Sequence, residues 1–211
     1  MNYYPIMLNL KDKRVLFIGA GNIALRKLRS ILEFECRITV ISEEIDPHIL
    51  DLKKAYDDEK IKVLEFKLIH LKADMNNVDD HIKNADLLFI CTDDGKLNEQ
   101  LELQAKKNRV WFLRCDSGKS SDFINPVVIT NEDVKIAVST SGKSPGFSKI
   151  LKQKIEEVIG SIDPEQIILL GKARDAVKMS DMQTSQKKEL LSKLHLMEND
   201  ELIDIIEKEK S

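Results

Sequence analysis

The chain has 211 residues, of which 33% are charged, and its formal net charge at pH 7 is −3. This length allows one domain with a full core and a smaller second unit. A nucleic acid is not expected as a partner, because a phosphate footprint shows as a basic excess. No apolar run approaches the roughly 18 residues of a membrane helix, and the N-terminus lacks the basic and apolar segments of an export signal. We therefore expect a cytoplasmic protein without a membrane partner.

An alternation of apolar runs and amphipathic segments occupies the first half of the chain. Strands are predicted at residues 14–18, 37–41, 62–66, 87–91 and 110–115, with helices at 22–34, 47–56 and 97–107. Strand and helix in regular succession predict an α/β fold, with a Rossmann-like parallel sheet and right-handed crossovers. Such sheets bind ligands at the carboxyl ends of their strands.

The pattern changes after residue 116. Two short β runs at 127–130 and 134–139 predict a hairpin, and apolar residues at helical spacing predict helices at 144–160, 167–177, 189–197 and 201–207. We therefore divide the chain into an α/β domain at 1–116, a small β-rich region at 117–145 and a helical domain at 146–211.

The turn after the first strand is typical of a dinucleotide site. Gly19 permits a sharp turn, Gly21 lets the backbone approach a diphosphate, and Ala24 keeps the helix close to the sheet. The unpaired amides at the helix start, from Asn22 and Ile23 onward, attract an anion without any lysine. The alternative is a glycine turn that binds no nucleotide.

Two further strand ends carry polar residues that can contact the same ligand. Ser42 and Glu43 follow the second strand, where a carboxylate binds the adenosine ribose and repels a 2′-phosphate, which favours NAD over NADP. Thr92 and Asp93 follow the fourth strand, where the nicotinamide half would lie. The same spacing also fits a solvated loop at Glu43 and a helix cap at Asp93.

Asp116 is the candidate acid–base residue, because it directly follows the fifth strand and should project into the same crevice. A carboxylate partly shielded from water has a raised pKa and can exchange a proton during oxidation of a ring. The alternative is an aspartate that only forms the turn before Ser117 and Gly118.

A second polar loop, residues 139–145, joins the hairpin to the first C-terminal helix. Its hydroxyls and the helix amides can hold an anion. The alternative is ordinary capping by Ser144, with Pro145 at the first helical position. The three cysteines and four histidines show no ligand spacing, so no metal site is predicted.

Five groups of residues, in this order, carry a family resemblance. They are residues 4–10, the glycine segment 19–27, Thr92–Asp94 with Leu97 and Asn98, Asp116 with 123–126, and the loop 138–145. Together they resemble the precorrin-2 dehydrogenase family of sirohaem biosynthesis, which also forms the front part of multifunctional sirohaem synthases. The resemblance covers roughly residues 3–155.

The resemblance implies an NAD-binding domain, a β-rich dimerisation region at 117–145, a helical domain and a homodimer. It implies NAD-dependent oxidation of precorrin-2 to sirohydrochlorin, with the family's essential aspartate at Asp116. The substrate is a polycarboxylate macrocycle, and Arg114, Lys119 and Lys143 are the candidate residues for binding its carboxylates. The methyltransferase half of the larger synthases is not in this sequence, so no methylation is expected.

This chain departs from the family pattern just before the aspartate. Family members usually carry Asn-Val-Val there, whereas this chain has Leu113, Arg114 and Cys115. A polar contact is therefore missing at Leu113, and Arg114 either meets a substrate carboxylate or faces solvent.

Two other functions remain open on the sequence. Some members of the family also insert ferrous iron into the oxidised macrocycle, which would make the protein a bifunctional dehydrogenase and ferrochelatase. A regulator that senses NAD or NADH through the same fold is the alternative from another class. Asp116 at the crevice and the lack of a DNA-reading segment favour an enzyme.

Overall fold

The computed structural model describes most of the chain as two compact units, Met1–Asn125 and Pro126–Ser211. The described residues are 3–58, 64–68, 74–116, 120–131, 134–141, 143–160 and 163–208. The division into three regions, with boundaries at 116 and 145, stays a prediction.

The first unit is built on a parallel sheet, as predicted. In the described residues it has five strands, β1 (Arg14–Ile18), β2 (Arg37–Ser42), β3 (Leu64–Leu68), β4 (Leu87–Ile90) and β5 (Trp111–Arg114), in the order β3-β2-β1-β4-β5. From β1 at the centre, the sheet extends through β2 to β3 on one side and through β4 to β5 on the other. The carboxyl ends of β1 and β4 therefore form a topological switch point, where open α/β sheets bind their ligands.

The sheet is buried on both faces at β1, β2, β4 and β5, which explains the continuous apolar runs in the sequence. Val15 and Phe17 of β1 belong to one core cluster, and Leu16 and Ile18 belong to the other. Phe17 stacks on Phe89 of the neighbouring strand, with ring centroids 4.5 Å apart. The β1–β4 pair is thus the packed centre of the unit.

Helices α1 (Asn22–Arg29), α2 (Pro47–Asp58), α3 (Met75–Lys83) and α4 (Gly95–Asn108) connect the strands. Sequence patterning did not predict α3. Among the side chains of this short helix that the structure describes, Val78 and Ile82 are the buried apolar ones, too few for a clear helical period. Asp74 caps it by accepting a hydrogen bond from the amide of Asn77 at 3.4 Å.

Helix α1 is shorter than predicted, because the chain tightens into turns after Arg29. The hydroxyl of Ser30 donates to the carbonyl of Lys27 at 2.7 Å, and the amide of Ile31 donates to the carbonyl of Leu28 at 2.9 Å. Ile31 remains buried in these turns, so the apolar period continues past the end of the helix.

The second unit contains the predicted hairpin and C-terminal helices, but the helix predicted at 189–197 lies at 184–193. The hairpin pairs β6 (Val127–Asn131) with β7 (Val134–Val138), and the helices are α5 (Pro145–Ile159), α6 (Pro164–Met179), α7 (Thr184–Lys193) and α8 (Asn199–Lys208). A small core of Leu169, Ala173, Leu194 and Leu202 joins the last helices. In the described part of the chain, no helix combines the length and the apolar character needed to cross a membrane.

Two leucines of α4 allow a matched test of the first core. Leu101 is fully buried, whereas Leu103 is 66% exposed. We expect Leu101→Ala to lower the free energy of unfolding by about 2–5 kcal/mol, and Leu103→Ala to change it by less than about 0.5 kcal/mol. Urea unfolding followed by the fluorescence of Trp111, the single tryptophan, reports on this unit. Equal effects of the two substitutions would contradict the placement of α4.

Candidate functional site

A cleft of about 570 Å³ lies at the carboxyl ends of β1, β2 and β4. This volume is within the usual range for small-molecule sites. Its lining residues come from three strand ends and from the first turns of α1 and α4: Gly19, Ala20, Gly21, Asn22, Ile23, Ser42, Glu43, Glu44, Cys91, Thr92, Asp93, Asp94 and Leu97. The cleft is therefore at the switch point of the sheet.

Gly19 forms the sharp turn out of β1, and no other residue fits there. Its φ angle is 96°, and its amide donates to the carbonyl of Ile41 at 2.8 Å. A Cβ at this position would lie 2.7 Å from the carbonyl carbon of Cys91. The backbone of Gly19 lies directly against the backbone of Cys91. A side chain could therefore be accommodated only if β1 and β4 moved apart.

Gly21 leaves the beginning of α1 open toward a ligand. It is the N-cap residue of the helix, and no side chain in the described part of the chain caps the helix there. Apart from Gly21 itself and its chain neighbours, no heavy atom that the structure describes lies within 4 Å of the position a Cβ would take. The first amides of α1, at Asn22 and Ile23, have no acceptor within the helix, so they can bind an anion. These features fit the diphosphate of a dinucleotide.

Ala24, the third residue of the predicted motif, does not line the cleft. It is fully buried in the core beneath α1. This burial agrees with the expected role of a small side chain that keeps the helix close to the sheet.

Ser42 and Glu43 lie at the end of β2, and both line the cleft. Ser42 is buried, whereas the side chain of Glu43 is exposed. Glu44, which was not predicted, also lines the cleft.

Asp94, and not Asp93, caps α4. Its carboxylate accepts hydrogen bonds from the amides of Lys96 and Leu97 at 3.0 and 3.1 Å. The predicted alternative of a cap at Asp93 is therefore wrong by one residue. Asp93 is exposed and lines the cleft, as expected for a ligand-facing residue.

Asn98 is a site residue to which the sequence analysis assigned no role. It is fully buried on α4, accepts a hydrogen bond from the hydroxyl of Thr92 at 2.5 Å, and donates one to the Thr92 carbonyl at 3.0 Å. Asn98 therefore holds the strand end that forms one wall of the cleft. Only its place in the motif after Thr92–Asp94 marked it in the sequence.

Asp116 follows β5 and makes a bidentate ion pair with Arg114. The Nε and Nη2 atoms of Arg114 donate to the two carboxylate oxygens at 3.0 and 2.7 Å. These hydrogen bonds, together with a smaller contribution from Asn98, hold the pKa of Asp116 at about 2. The expectation of a raised pKa is therefore wrong, because a guanidinium two residues away outweighs the burial. Asp116 itself is not a lining residue of the cleft.

Arg114 lies between two carboxylates of its own chain. Its Nη1 atom donates to Glu102 of α4 at 2.9 Å, and its side chain is only 10% exposed. The alternative that Arg114 faces solvent is therefore wrong. Hydrogen bonds to Asp116 and Glu102 raise the pKa of the guanidinium further.

Glu102 is the buried end of this ionic cluster. It also accepts hydrogen bonds from Lys106 at 2.5 Å and from the hydroxyl of Ser120 at 2.8 Å. Burial acts to raise the pKa of Glu102, but the hydrogen bonds from Lys106, Arg114 and Ser120 lower it to about 2. The cluster Glu102–Arg114–Asp116 thus carries two negative charges and one positive charge at neutral pH, with Lys106 supplying a second cation.

The remaining predicted residues lie outside this cleft region or outside the described residues. Lys119 is outside the described residues. Lys143 is exposed in the second unit, next to Ser144, which caps α5 by accepting from the amide of Phe147 at 3.3 Å. Among the described residues, no group of three or more His, Cys, Asp or Glu side chains could hold a metal ion.

The open parallel sheet, the glycine turn and the uncapped helix define a dinucleotide-binding protein of the Rossmann-like class. A family model described as putative NAD(P)-binding matches residues 6–127, and the chain belongs to this family. A second model, described as sirohaem biosynthesis protein central, matches residues 131–157. The class of cofactor is thus a nicotinamide dinucleotide.

Curated relatives agree with the second model. The chain is 31% identical over 180 residues to a siroheme synthase of Buchnera aphidicola, covering 84% of this chain and 35% of that protein. It is 30% identical over 182 residues to a siroheme synthase of Pseudoalteromonas atlantica, covering 84% of this chain and 36% of that protein. The chain therefore spans about a third of the length of these relatives.

A solved structure named SirC, precorrin-2 dehydrogenase, has the same fold. It superposes with a TM-score of 0.72 at 22% identity, covering 98% of this chain and 100% of that chain. The matches confirm the predicted fold class and the resemblance to the precorrin-2 dehydrogenase and sirohaem synthase family.

Replacing each of the two glycines of the turn by alanine should affect a different property, stability for Gly19 and dinucleotide binding for Gly21. We expect Gly19→Ala to lower the free energy of unfolding by more than about 2 kcal/mol, because it combines a positive φ with a backbone clash. Gly21→Ala should change stability by less than about 0.5 kcal/mol but weaken dinucleotide binding at least about tenfold, because its Cβ occupies the space of the diphosphate. Urea unfolding and calorimetric titration measure the two effects. Unchanged affinity in Gly21→Ala would contradict the proposed position of the diphosphate.

Proposed function

We propose that the protein oxidises precorrin-2 to sirohydrochlorin, with NAD⁺ as the hydride acceptor. The observation that carries this proposal is the position of the Asp116 carboxylate. Asn98 hydrogen-bonds to Thr92 in the cleft wall and contributes to the lowered pKa of Asp116. An ionised carboxylate is thus held by the same side chain that holds the wall of the cofactor cleft. The names of the similar proteins support the choice of substrate.

The charge state of Asp116 favours one direction of proton transfer. Oxidation removes one hydride and one proton from the macrocycle, and a dinucleotide held at the glycine turn by the amides of Asn22 and Ile23 would supply the hydride acceptor. With a pKa of about 2, Asp116 is ionised at neutral pH, so it can accept a proton but has none to donate. We assign it the role of general base or of electrostatic partner to positive charge that develops on the substrate.

Arg114 has a different role in this proposal from the one the resemblance suggested. The three hydrogen bonds that its guanidinium donates go to Glu102 and Asp116, and its side chain is mostly buried. We assign Arg114 to the orientation of Asp116 and not to a substrate carboxylate. Lys119 and Lys143 remain the candidates for binding the acidic side chains of the macrocycle.

The preference for NAD over NADP rests on Glu43. This exposed carboxylate lines the cleft beside Ser42, at the end of the strand next to the glycine turn. A 2′-phosphate placed there would meet a like charge, whereas ribose hydroxyls could donate hydrogen bonds to the carboxylate. NAD is therefore the proposed cofactor.

The second unit supports the proposed homodimer. It exposes large apolar side chains on the hairpin and on α5, namely Val128, Phe147, Ile150 and Val158, with exposures of 46% to 65%. These side chains are the candidates for burial between two copies of the chain.

The central experiment is an anaerobic assay with purified protein and precorrin-2, run in parallel with NAD⁺ and with NADP⁺. We expect sirohydrochlorin and NADH to form together, and kcat/KM to be at least about tenfold higher with NAD⁺. Asp116→Asn should lower kcat at least about a hundredfold, with little change in dinucleotide affinity. Asp80→Asn on the exposed face of α3 is the matched control and should keep the rate of the natural protein.

Two results would contradict the proposal. A protein that binds NAD⁺ tightly but never turns over precorrin-2 would instead be a dinucleotide sensor. Full activity in Asp116→Asn would remove the role assigned to this carboxylate.

The pH dependence of the reaction tests the role of Arg114. The folded pKa of Asp116, about 2, is below the ordinary value of 3.8, so its ion pair stabilises the protein above pH 3.8 and is lost as the pH falls toward 2. In Arg114→Leu the pKa of Asp116 should rise, so the acidic limb of the kcat/KM profile should move to higher pH. Arg114→Lys should recover part of this shift, because it restores the charge without the bidentate geometry. An acidic limb at the same pH in all three proteins would show that Arg114 does not control Asp116.

A further inference from the structure

Two cysteines lie side by side at the carboxyl edge of the sheet. The Sγ atoms of Cys91 and Cys115 are 3.4 Å apart, and neither residue is in a disulfide. Each directly follows its strand, and the last paired residues of β4 and β5 are Ile90 and Arg114. The amide of Cys115 donates to the carbonyl of Ile90 at 3.0 Å, so the two backbones remain adjacent beyond the strands.

This geometry is close to that of a disulfide without any change in backbone pairing. Neighbouring strands are separated by about 4.8 Å, and the Cα atoms of a disulfide are roughly 4.4–6.8 Å apart. The two sulfurs are already in contact, so rotation of the side chains brings them to bonding distance. A Cys pair on adjacent strands in register therefore needs no opening of the sheet.

The two thiols differ in accessibility and in charge environment. Cys91 is buried, with 7% exposure, and its hydrogen bond with Cys115 and its burial raise its pKa. Cys115 is only half-buried. The hydrogen bond from Cys91 and the nearby ammonium of Lys27 lower the pKa of Cys115. Cys115 is therefore the more accessible thiol and the one with more thiolate, which is the nucleophilic form.

We infer that Cys91 and Cys115 form an oxidisable dithiol site for small-molecule disulfides. The Cys115 thiolate attacks one sulfur of the small disulfide, breaks its S–S bond and releases one thiol, which leaves a mixed disulfide on Cys115. Cys91 then loses its proton and attacks the Cys115 sulfur, which releases the second thiol. The two cysteines are oxidised by two electrons, and the small disulfide is reduced to two thiols.

Because of where Cys91 and Cys115 lie, their oxidation has a consequence for the cleft. Cys91 lines the cleft, its carbonyl contacts the glycine turn at Gly19, and Cys115 immediately precedes Asp116. A bulky adduct that stayed on Cys115 would occupy space beside this carboxylate. Cys91 removes such an adduct and leaves only a bond within the protein. This inference is independent of the proposed reaction, because it requires neither the substrate nor the cofactor.

The test uses the reduced, folded, full-length protein and oxidised glutathione as the probe. We expect the intact mass to fall by two hydrogens, and peptide mapping to show Cys91 linked to Cys115 while Cys36 stays a thiol. A dithiol reductant should reverse the change. Cys36→Ala serves as the control and should give the same disulfide, because Cys36 is buried elsewhere in the core.

The two single variants separate the roles of the thiols. Cys91→Ala should accumulate at least about ten times more glutathione adduct on Cys115 than the natural protein does, because no thiol remains to displace it. Cys115→Ala should form neither the internal disulfide nor an adduct on buried Cys91.

Three results would overturn the inference. One is a natural protein that keeps all three thiols under these conditions, and another is a stable glutathione adduct on the natural protein. The third is a disulfide that includes Cys36. The measurement on the natural protein decides the question even if a variant fails to fold.

Discussion

The contact between the glycine turn and the end of β4 is the constraint on which the site depends. Gly19 brings its backbone against the carbonyl of Cys91, and only a residue without a Cβ can do so at this φ angle. Because the turn is so tight, α1 begins three residues later, at Asn22, with its first amides open to the cleft. The anion site is therefore a consequence of how closely β1 and β4 pack, and it needs no cationic side chain.

Glu102 of α4, Arg114 of β5 and Asp116 after β5 form a cluster of paired charges. Arg114 donates hydrogen bonds to the carboxylates of both Glu102 and Asp116, and each carboxylate has further hydrogen-bond partners. Burying ions is expensive unless every charge is paired, so such a cluster contributes more to orientation than to net stability. It keeps Asp116 ionised and fixes the direction in which its carboxylate lies. Asn98 links this electrostatic arrangement to the cofactor cleft through Thr92.

Local sequence patterns were sufficient to predict much of the fold and many of the residues that line the cofactor cleft. Buried strands appear as continuous apolar runs because a parallel sheet is covered on both faces, and this made β1, β2 and β4 recognisable. Gly21, Glu43 and Thr92, predicted from the ends of β1, β2 and β4, line one cleft, whereas Asp116 after β5 is not among its lining residues. Helix α3 lacked a comparable signal, since the two buried apolar residues among its described side chains, Val78 and Ile82, do not establish a period.

The sequence by itself determined the strand–helix alternation, the glycine turn and the strand-end positions of the polar residues, because these depend on neighbours along the chain. Only the tertiary structure decided the charge state of Asp116, the partners of Arg114 and the role of Asn98. Those properties arise where α4 packs beside β5 and the end of β4, which brings Glu102 to within hydrogen-bond distance of Arg114. A pKa depends on the distance to charges and on burial, and neither quantity is set by the spacing of residues in the sequence.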